Sequence, residues 1–592
     1  MKNKKSIAER LPILKLYEPY LHSNKIFLFG TLLLWIVFVP IIRFLVVIFP
    51  QNIVQALVDE KGVKQVVKIV LVFQLLMTVI PVYESFFNSL IRDKALVQID
   101  GQIKEHIYRK VIATDYRYVD DPDYYEKYTW VIEKQSEKSQ EAFELINEIV
   151  SCFLVIVSLV TLLATISPWV ILLAVIASLF RMIGFVKYNK IDVEEDGELL
   201  KSDRKLKYFH RIFYMKDFAQ DLRCTNLFKK IIYGFTTELS QKEDVIKKYG
   251  KIKCFWLVYV DLVYRLFYTG IIILVVMQFI NGNIANAAEY ITIMLAVDRL
   301  DDSLYSFFTL FQNGIKLNDY AKRIFKFYEY PSLIEKSNQG SVPDQGPFSV
   351  DITHLTFSYS NSAFTMSDLN LHIKAGEHIA IVGENGVGKS TLVKLLLRLY
   401  DPSQGSILVN GKQLTNYNVK KYREKVGVVF QDTNLYSLSL KDNINLYSDQ
   451  SDKDVLSTLA ECGLSNLANQ EKLTKTMTRE FDDNGIILSG GQVQRIALAR
   501  VLTKPFGLLI LDEASSALDP ISEYQFTKLL MEKTKNTTTI SIAHRLSTVR
   551  DMDRIIVMDK GRIIEEGTHD ELMEKNGKYY DMFKKQAEKY VK

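Results

Sequence analysis

Six long apolar stretches lie within the first 330 residues, and they restrict the fold more than any other feature of the sequence. A helix that crosses a lipid bilayer needs about 20 mainly apolar residues, because the hydrocarbon core holds no water to hydrogen-bond its backbone. Each stretch meets that length. We therefore predict an α-helical membrane domain with six spans, near residues 25–49, 66–93, 145–167, 169–190, 254–281 and 286–312.

The connections between these spans alternate between short and long. They are short after spans one, three and five, but roughly 50–60 residues long after spans two and four. Both long connections and the N-terminus are rich in Lys and Arg, which places them in the cytosol by the positive-inside rule. The long connections keep helical apolar spacing, so we expect the spans to continue as helices into the cytosol. The N-terminus lacks the pattern of a cleaved signal peptide.

Acidic residues inside the predicted spans indicate a possible substrate cavity. Charges in hydrocarbon are costly, so each is expected to face the bundle interior, a partner charge or water. One reading is a polar path for cationic cargo. The other is structural ion pairing, which the one-turn spacing of Asp261 and Arg265 favours for that pair. The acids that carry the cavity hypothesis are Glu84 in span two and Asp298, Asp301 and Asp302 in span six.

The second half of the chain has the composition of a soluble α/β domain. We predict a transmembrane domain over 1–330, a linker over 331–347 and a second domain over 348–592. Across the whole chain 74 basic residues nearly balance 69 acidic ones, and no nucleic-acid-binding motif is present, which argues against a nucleic-acid partner. The four cysteines lack metal-ligand spacing and are predicted to be free thiols.

A phosphate-binding loop stands near the start of the second domain. The apolar run HIAIV leads into GENGVGKST, residues 383–391, and then into the helical pattern LVKLLLRLY. This is G-x4-G-K-[ST] in strand–loop–helix context, whose glycines let the backbone wrap phosphates. The lysine reaches the β- and γ-phosphate oxygens, and the next serine is a ligand for Mg²⁺. These residues, which make 348–592 a nucleotide-binding domain, are Gly383, Gly386, Gly388, Lys389 and Ser390.

Two acids end a second apolar strand, GLLILDE, over residues 507–513. A carboxylate at the end of a core strand beside a phosphate loop can hold Mg²⁺, and this role is predicted for Asp512. Glu513 is then placed to polarise the attacking water. A third strand, TTTISIAH, ends at His544 and is expected to lie beside the nucleotide.

The stretch LSGGQ, residues 488–492, stands at the head of an amphipathic helical pattern. Backbone N–H groups point outward at a helix N-terminus, at the positive end of the dipole, and they favour an anion there. A phosphate loop already occurs about a hundred residues earlier. A second anion site therefore raises the question of whose phosphate it binds.

The order of these motifs resembles one family, the ATP-binding cassette transporters. The series runs from the phosphate loop through VVFQD, LSGGQ, ILDE and SALD to IAH, and other phosphate-loop ATPases lack LSGGQ. Six spans with two long cytosolic connections before a single cassette are similar to an exporter half-transporter. The stretch around Tyr436 resembles that of lantibiotic and other bacterial peptide exporters.

The resemblance implies roles for individual residues. Tyr359 would stack on adenine, and Gln431 would sense Mg²⁺ and connect the cassette to the membrane domain. Glu513 would be the general base, His544 the switch residue at the γ-phosphate, and Asp519 the link between two ATP sites. The remaining ATP-binding residues implied by these motifs are Asn385 and Thr391 in the phosphate loop and Ser489, Gly490, Gly491 and Gln492 in LSGGQ.

In this family LSGGQ binds the γ-phosphate of ATP held by another cassette. One cassette with six spans is therefore expected to work as a homodimer, or as a heterodimer with a second half-transporter. The resemblance implies ATP-driven export across the cytoplasmic membrane, with ATP and Mg²⁺ as cofactors and the cassette in the cytosol. A peptide is the first choice of cargo. A multidrug or lipid exporter is the alternative, and a non-transporting ATP-gated channel or regulator is the remote one.

Two segments are similar to the turns that couple cassette and membrane domain in this family. DYRYVDDPDYYEKY, residues 115–128, resembles the first coupling turn, with Pro122 breaking one helix and aromatic residues available for a groove on the cassette. FYMKDFAQDLRCTN, residues 213–226, resembles the part of the second long connection around and after its coupling turn. The alternative for each is a plain corner between helices. One departure concerns 482–485, where DDNG stands in place of the Gly-Glu-Arg-Gly-like stretch frequent in exporters.

Overall fold

Helices form the first part of the chain and an α/β fold the last part in a computed structural model, which describes residues 24–60, 62–282, 284, 287–335, 340–359, 364–514, 518–543 and 545–588. The chain divides into two units. The membrane unit comprises the residues up to Ile107 together with Tyr128–Glu329, and the cassette unit comprises Tyr108–Lys127 and Tyr330–Lys592. A short segment from the first long connection therefore belongs to the cassette unit.

Eight helices are described before the first strand, and six of them are long. The longest, Leu227–Ile280, has 54 residues, which corresponds to about 80 Å at 1.5 Å per residue and far exceeds the bilayer core. The long helices continue beyond the apolar stretches, as predicted. The bounds are α1 Lys25–Val58, α2 Val63–Ala113, α3 Tyr116–Val119, α4 Pro122–Ile166, α5 Pro168–Tyr214, α6 Ala219–Cys224, α7 Leu227–Ile280 and α8 Ala287–Tyr328.

Five of these helices, among the described residues, are long and apolar enough to cross a membrane: α1, α2, α5, α7 and the part of α4 from Gln140 to Ile166. Helix α8, which begins with the sixth predicted span and continues 16 residues beyond its predicted end at residue 312, is not one of the five. Its first half carries Asp298, Arg299, Asp301 and Asp302. The α-helical membrane domain is confirmed, and its sixth helix differs from the others by its charge.

Ion pairs join α5 to α7 along their extensions beyond the apolar stretches. The residue numbers rise along α5 as they fall along α7, which is the register of two antiparallel helices. Each pair brings a residue of one helix opposite a charge of the other, so the pairs oppose sliding of the two helices. The pairs are Asp192–Lys253, Glu198–Lys248, Asp203–Lys242 and Lys205–Glu238.

A glycine brings the same two helices into close contact nearer the membrane. A Cβ atom at Gly184 of α5 would lie 2.6 Å from Val260 Cγ2 and 2.8 Å from Tyr259 Cδ1 of α7. Small residues at such positions let helix backbones approach each other within a bilayer. The packing of α5 on α7 therefore requires Gly184.

We expect Gly184→Ala to lower the stability of the purified protein by about 1–3 kcal/mol, because the added methyl overpacks the α5–α7 contact. The measurement is thermal unfolding in detergent. Gly197→Ala on the same helix is the control, since a Cβ there meets nothing within 4 Å. That change is expected to be neutral or stabilising by up to about 1 kcal/mol, because Ala favours the helix. Equal melting temperatures for the two variants would contradict the contact.

The cassette contains two sheets. Their strands are β1 Val350–Ser358, β2 Thr365–Ile373, β3 His378–Val382, β4 Gln404–Val409, β5 Lys412–Gln413, β6 Val426–Val429, β7 Leu508–Asp512, β8 Thr538–Ile542, β9 Arg554–Asp559 and β10 Arg562–Gly567. A four-stranded antiparallel sheet has the order β2-β1-β4-β5, and a six-stranded sheet has the order β10-β9-β3-β8-β7-β6. All residues of β3 and β7 are buried, as expected for the continuous apolar runs of a parallel sheet.

Helices cover the sheets and fill the connections between strands. The α/β cassette fold is confirmed. The cassette helices are α9 Lys389–Leu396, α10 Val419–Arg423, α11 Leu440–Ile444, α12 Asp452–Glu461, α13 Gln470–Leu473, α14 Gly490–Leu502, α15 Pro520–Lys533, α16 His569–Glu574 and α17 Lys578–Ala587.

Strands β3, β8, β7 and β6 are neighbours and run parallel to each other. Their carboxyl ends therefore lie along one edge of the sheet, which is where ligands bind in open α/β sheets. The phosphate loop follows β3, Asp512 ends β7, and Gln431 follows β6. Sequence segments that are far apart are thus brought to the same edge.

Candidate functional site

The phosphate loop connects β3 to α9 through a tight turn. Gly388 precedes the helix with a φ of 109°, and a Cβ atom there would lie 2.6 Å from Phe364 Cζ. A Cβ atom at Gly383 would lie 2.3 Å from the carbonyl oxygen of Met558. Only glycine meets both restrictions, and the loop backbone is left open for phosphate oxygens to approach.

Lys389 is held inside this loop. Its side-chain Nζ donates to the carbonyl oxygens of Gly383 at 2.8 Å and of Glu384 at 2.9 Å. Burial lowers the pKa of Lys389 below its usual value, and the nearby carboxylates of Glu513 and Asp512 offset only part of this shift. The lysine is therefore fixed within the loop and within electrostatic reach of both acids at the end of β7.

Glu513 lies just after β7 in a strained backbone conformation. Its φ is 52°, in the left-handed region that side chains other than glycine rarely adopt. Its N–H donates to the carbonyl oxygen of Ile542 at 3.1 Å, and its carboxylate accepts from Gln431 Nε2 at 2.8 Å. Strain of this kind collects at functional sites. The strained turn directs the Glu513 carboxylate toward Gln431, while the preceding Asp512 stays buried.

Tyr359 directly follows β1 and lies beside the first turn of α9. Its hydroxyl is 3.2 Å from Thr391 Oγ1. The rings of Phe357 and Tyr400 contact it edge-on, with centroids 5.0 and 5.4 Å away. The Tyr359 ring is only partly buried, so it offers an aromatic surface beside the phosphate loop.

The LSGGQ stretch forms the start of helix α14, with Ser489 as its N-cap. Ser489 Oγ accepts the N–H of Gln492, and Gln492 Oε1 accepts the N–H of Ser489, which together form a capping box. Ser489 and Gly490 are exposed, whereas Gly491 and Gln492 are partly buried. The capping box therefore fixes the start of α14, and the first two of these four residues are exposed to solvent.

Asp519 also caps a helix. Its carboxylate accepts the N–H groups of Ser522 at 3.0 Å and Ile521 at 3.1 Å at the start of α15. Hydrogen bonds from Ser522, followed by those of its neighbours, hold the pKa of Asp519 below its usual value. Of the other predicted site residues, Asn385 and Ser390 are exposed on the phosphate loop. His544 lies outside the described residues.

The acids of the predicted substrate cavity have different surroundings. Asp301 is ion-paired with Arg181 of α5. Asp298 accepts from the Tyr264 hydroxyl at 3.1 Å. Asp302 is 3.8 Å from Arg299, and its side chain is 72% exposed. Glu84 is partly buried on α2.

The pairing of Asp301 with Arg181 joins residues 120 positions apart, and the spacing of charges along the sequence did not indicate it. Asp261 and Arg265 pair within α7 at 2.9 Å, as their spacing predicted. All four cysteines are free thiols, as predicted.

Comparison with known proteins agrees with this geometry. The family described as ABC transporter matches residues 366–516, which include the phosphate loop, LSGGQ and both acids after β7. The subtilin transport ATP-binding protein SpaT of Bacillus subtilis is 28% identical over 90% of this chain and 89% of its own length, and thus extends the similarity into the membrane unit. Residues 366–516 therefore form an ABC transporter domain, and the similarity to a transport protein extends over most of the chain.

Other relatives match a shorter part of the chain. An uncharacterized ABC transporter ATP-binding protein of Haemophilus influenzae is 38% identical over 47% of this chain. The ATP-dependent lipid A-core flippase of Alcanivorax borkumensis is 40% identical over 43% of this chain. This chain spans about half the length of these two relatives, with 45% of each covered.

These similarities confirm several predictions from the sequence. The chain joins a helical membrane domain to an α/β ABC transporter domain, as in the exporters that it resembles. It is a membrane protein whose cassette, an ATP-binding domain, lies in the cytosol.

We expect Glu513→Gln to reduce ATP hydrolysis by about 100-fold or more, because the amide cannot accept a proton from the attacking water. ATP affinity is expected to stay close to wild type, since the substitution keeps the size of the side chain. Phosphate release and equilibrium nucleotide binding measure the two effects. Glu532→Gln, at an exposed glutamate of α15, is the control with full activity. Hydrolysis near the wild-type rate in Glu513→Gln would contradict the prediction that Glu513 is the general base.

Proposed function

We propose that the edge formed by β3, β6, β7 and β8 binds ATP with Mg²⁺ and hydrolyses it. Gly383, Gly386, Gly388 and Lys389 would hold the phosphates. The hydrogen bond between Gln431 and Glu513, at the edge where Lys389 lies, is the observation that carries this proposal. It brings together two residues that are distant in sequence and that the chemistry needs side by side.

The metal ligands in this proposal are Ser390, Asp512 and Gln431. A hydroxyl, a carboxylate and an amide oxygen suit Mg²⁺, which prefers oxygen ligands. When bound, Mg²⁺ neutralises charge on the β- and γ-phosphate oxygens. Glu513 would accept the proton of the attacking water. His544 is assigned to the γ-phosphate by its resemblance to the switch histidine alone.

The nucleotide base is assigned to Tyr359. An aromatic ring that is partly exposed and held by edge contacts can stack on adenine, and Thr391 links its hydroxyl to the helix of the phosphate loop. Asn385, Thr391 and the rest of the loop complete the nucleotide site. The domain boundaries proposed for this function are 1–330, 331–347 and 348–592, with Tyr108–Lys127 joined to the cassette unit.

A second half-transporter completes each ATP site in this proposal. The N-terminus of α14 is exposed and capped, and Ser489, Gly490, Gly491 and Gln492 would bind the γ-phosphate of ATP held by the partner's loop. Asp519 would connect the two sites. The simplest assembly is a homodimer, because this chain carries a full set of site motifs. A different half-transporter is the alternative partner.

Complementation tests the composite sites after the mass of the purified complex has established a homodimer. Lys389→Ala and Ser489→Arg each disable one half of every site. In a dimer of one chain of each kind, one site carries both defects and the other is intact. When the two chains are mixed in equal amounts, about half of the dimers contain one chain of each kind and thus one intact site, so we expect about a quarter of wild-type ATPase activity.

Each variant alone serves as its own control and is expected to be inactive. Recovery in the mixture shows that the phosphate loop and LSGGQ of one site come from different chains. No recovery, with mixed dimers present by mass, would contradict composite sites with independent turnover. A complex containing a different subunit would replace the homodimer with a heterodimer.

The proposed cargo is a peptide, exported by alternating access between inward-open and outward-open states. The relative named for transport of subtilin, a peptide, matches this chain over 562 residues and so includes the membrane unit. The lipid A-core flippase matches over 261 residues, too few to include both units in full. A multidrug or lipid cargo is the alternative. The membrane unit is the part of the chain that would determine which of these cargo classes is transported.

Asp302 is the acid proposed to attract cationic groups of the cargo. Its side chain is exposed and its partner Arg299 lies at the 3.8 Å distance of a weak pair. Asp301 is a poorer candidate because Arg181 already neutralises it. Glu84 and Asp298 remain proposed as lining residues.

We expect Asp302→Asn in proteoliposomes to raise the concentration of a lysine-rich peptide needed for half-maximal ATPase stimulation by about threefold to tenfold, because one attractive charge is lost. Stimulation by an uncharged amphiphilic drug is expected to be unchanged. Asp319→Asn is the control, since it also removes the acid of an exposed pair on α8, with Arg323. A wild-type response to drugs and none to peptides would reverse the order of the two cargo classes.

A further inference from the structure

A buried carboxylate fastens the segment Tyr108–Lys127 inside the cassette unit. Asp115 is fully buried, and its two oxygens accept backbone N–H groups from Leu333 at 3.0 Å, Ile334 at 2.9 Å and Glu335 at 3.2 Å. These three residues lie in the strap that leads from α8 to the cassette. One side chain thus binds three successive N–H groups, a strong arrangement for a carboxylate.

The same strap is fastened to the cassette on its other side. The Glu335 carboxylate accepts two bonds from Arg423 Nη1, at 2.9 and 2.8 Å. Arg423 also donates to the carbonyl oxygens of Leu397 and Arg398, which directly follow α9. The segment around Asp115 therefore has a fixed position relative to the helix that carries the phosphate loop.

Asp120, five residues further along the segment, contacts α9 and the residues after it. Asp120 Oδ2 accepts from the Tyr400 hydroxyl at 2.6 Å and from Lys394 Nζ at 3.0 Å. Burial, followed by the hydrogen bond to Asp120, raises the pKa of Tyr400. Burial lowers the pKa of Lys394, but the bond to Asp120 and the neighbouring tyrosines outweigh it and the net direction is upward. One carboxylate therefore holds a phenol and an ammonium in place.

The two groups held by Asp120 both pack on Tyr359. The Tyr400 ring meets the Tyr359 ring edge-on at 89°. Lys394 Nζ lies 5.4 Å from the ring centre of Tyr116, 5.6 Å from that of Tyr359 and 5.8 Å from that of Tyr400. A positive charge is attracted to aromatic faces at these distances. The position of the ammonium is thus shared between one carboxylate and three tyrosines.

We propose that Asp120 is a positioning residue for the adenine site, acting through Tyr400 and Lys394 on the ring of Tyr359. The proposal rests on the proposed role of Tyr359. Without the Asp120 charge, the ammonium of Lys394 is drawn toward the tyrosine faces, where it competes with a stacked base. Tyr400 also loses the acceptor that fixes its ring. The affinity for the base then depends on a segment that lies some 240 residues before Tyr359.

This role predicts a loss confined to the base. The phosphates bind to the loop around Lys389, which Asp120 does not contact in the described part of the chain. Inorganic tripolyphosphate uses the loop without a base, whereas ATP uses both. A merely structural effect of Asp120 would weaken both ligands together.

The experiment compares ATP and tripolyphosphate binding to the full chain in nanodiscs by calorimetry, without Mg²⁺ so that no turnover occurs. We expect Asp120→Asn to weaken ATP binding by about threefold to tenfold and to leave tripolyphosphate binding unchanged. Asp123→Asn is the matched control. Its carboxylate, on the same segment, pairs with Lys127, so neither ligand should be affected.

Tyr359→Ala separates failure of this inference from failure of the proposed adenine site. It is expected to remove most of the difference in affinity between ATP and tripolyphosphate, and to make Asp120→Asn silent in the double variant. If Tyr359→Ala leaves that difference intact, the adenine assignment is wrong. If Tyr359→Ala removes it but Asp120→Asn changes neither ligand, or weakens both equally, the positioning role of Asp120 is wrong.

Discussion

Parallel pairing of β3 with β8 and of β8 with β7 is the constraint on which the ATP site depends. Ile381 pairs with Ile542, and Ile542 pairs with Asp512, so the phosphate loop and both acids leave the sheet at the same level. A slip of one residue in this register would turn Asp512 to the other face. The strained backbone at Glu513 is held by the same pairing, because its N–H donates to Ile542.

The membrane unit is subject to a different constraint, because charged side chains in an apolar environment must be neutralised. Arg181 and Asp301 neutralise each other between α5 and α8, and the Arg181 guanidinium lies 5.0 Å from the ring centre of Tyr264. Arginine tolerates such an environment because its charge is spread over a planar group. The charges on α8 thus fall into two classes: those satisfied within the unit and those, such as Asp302, that remain exposed.

Much of the architecture was predictable because it depends on local patterns. HIAIV and GLLILD are continuous apolar runs that became buried parallel strands, and the long connections became helical extensions because their apolar residues recur at helical spacing. The positions of the phosphate loop and LSGGQ followed from motifs whose chemistry requires glycine and a helix start. The start of α8 at Ala287 also followed, although the helix continues to Tyr328, beyond the predicted end of the sixth span at residue 312.

What the sequence could not predict are pairings between distant side chains. The pairing of Asp301 with Arg181 and that of Asp115 with the backbone of Leu333 depend on how the elements pack. Neither the spacing of apolar residues nor the composition contains that information. The segment 115–128 was expected to form a coupling turn from its aromatic residues and Pro122, but the roles of Asp115 and Asp120 emerge only from their partners.

The cassette unit is discontinuous along the chain, and this has a consequence for its synthesis. Tyr108–Lys127 leaves the ribosome about 200 residues before Tyr330. Asp115 therefore cannot reach its buried position until four more long helices have been synthesised, because its backbone partners follow them in the chain. A cassette made alone from residue 348 would lack this piece, and Tyr400 and Lys394 would lose the carboxylate that holds them.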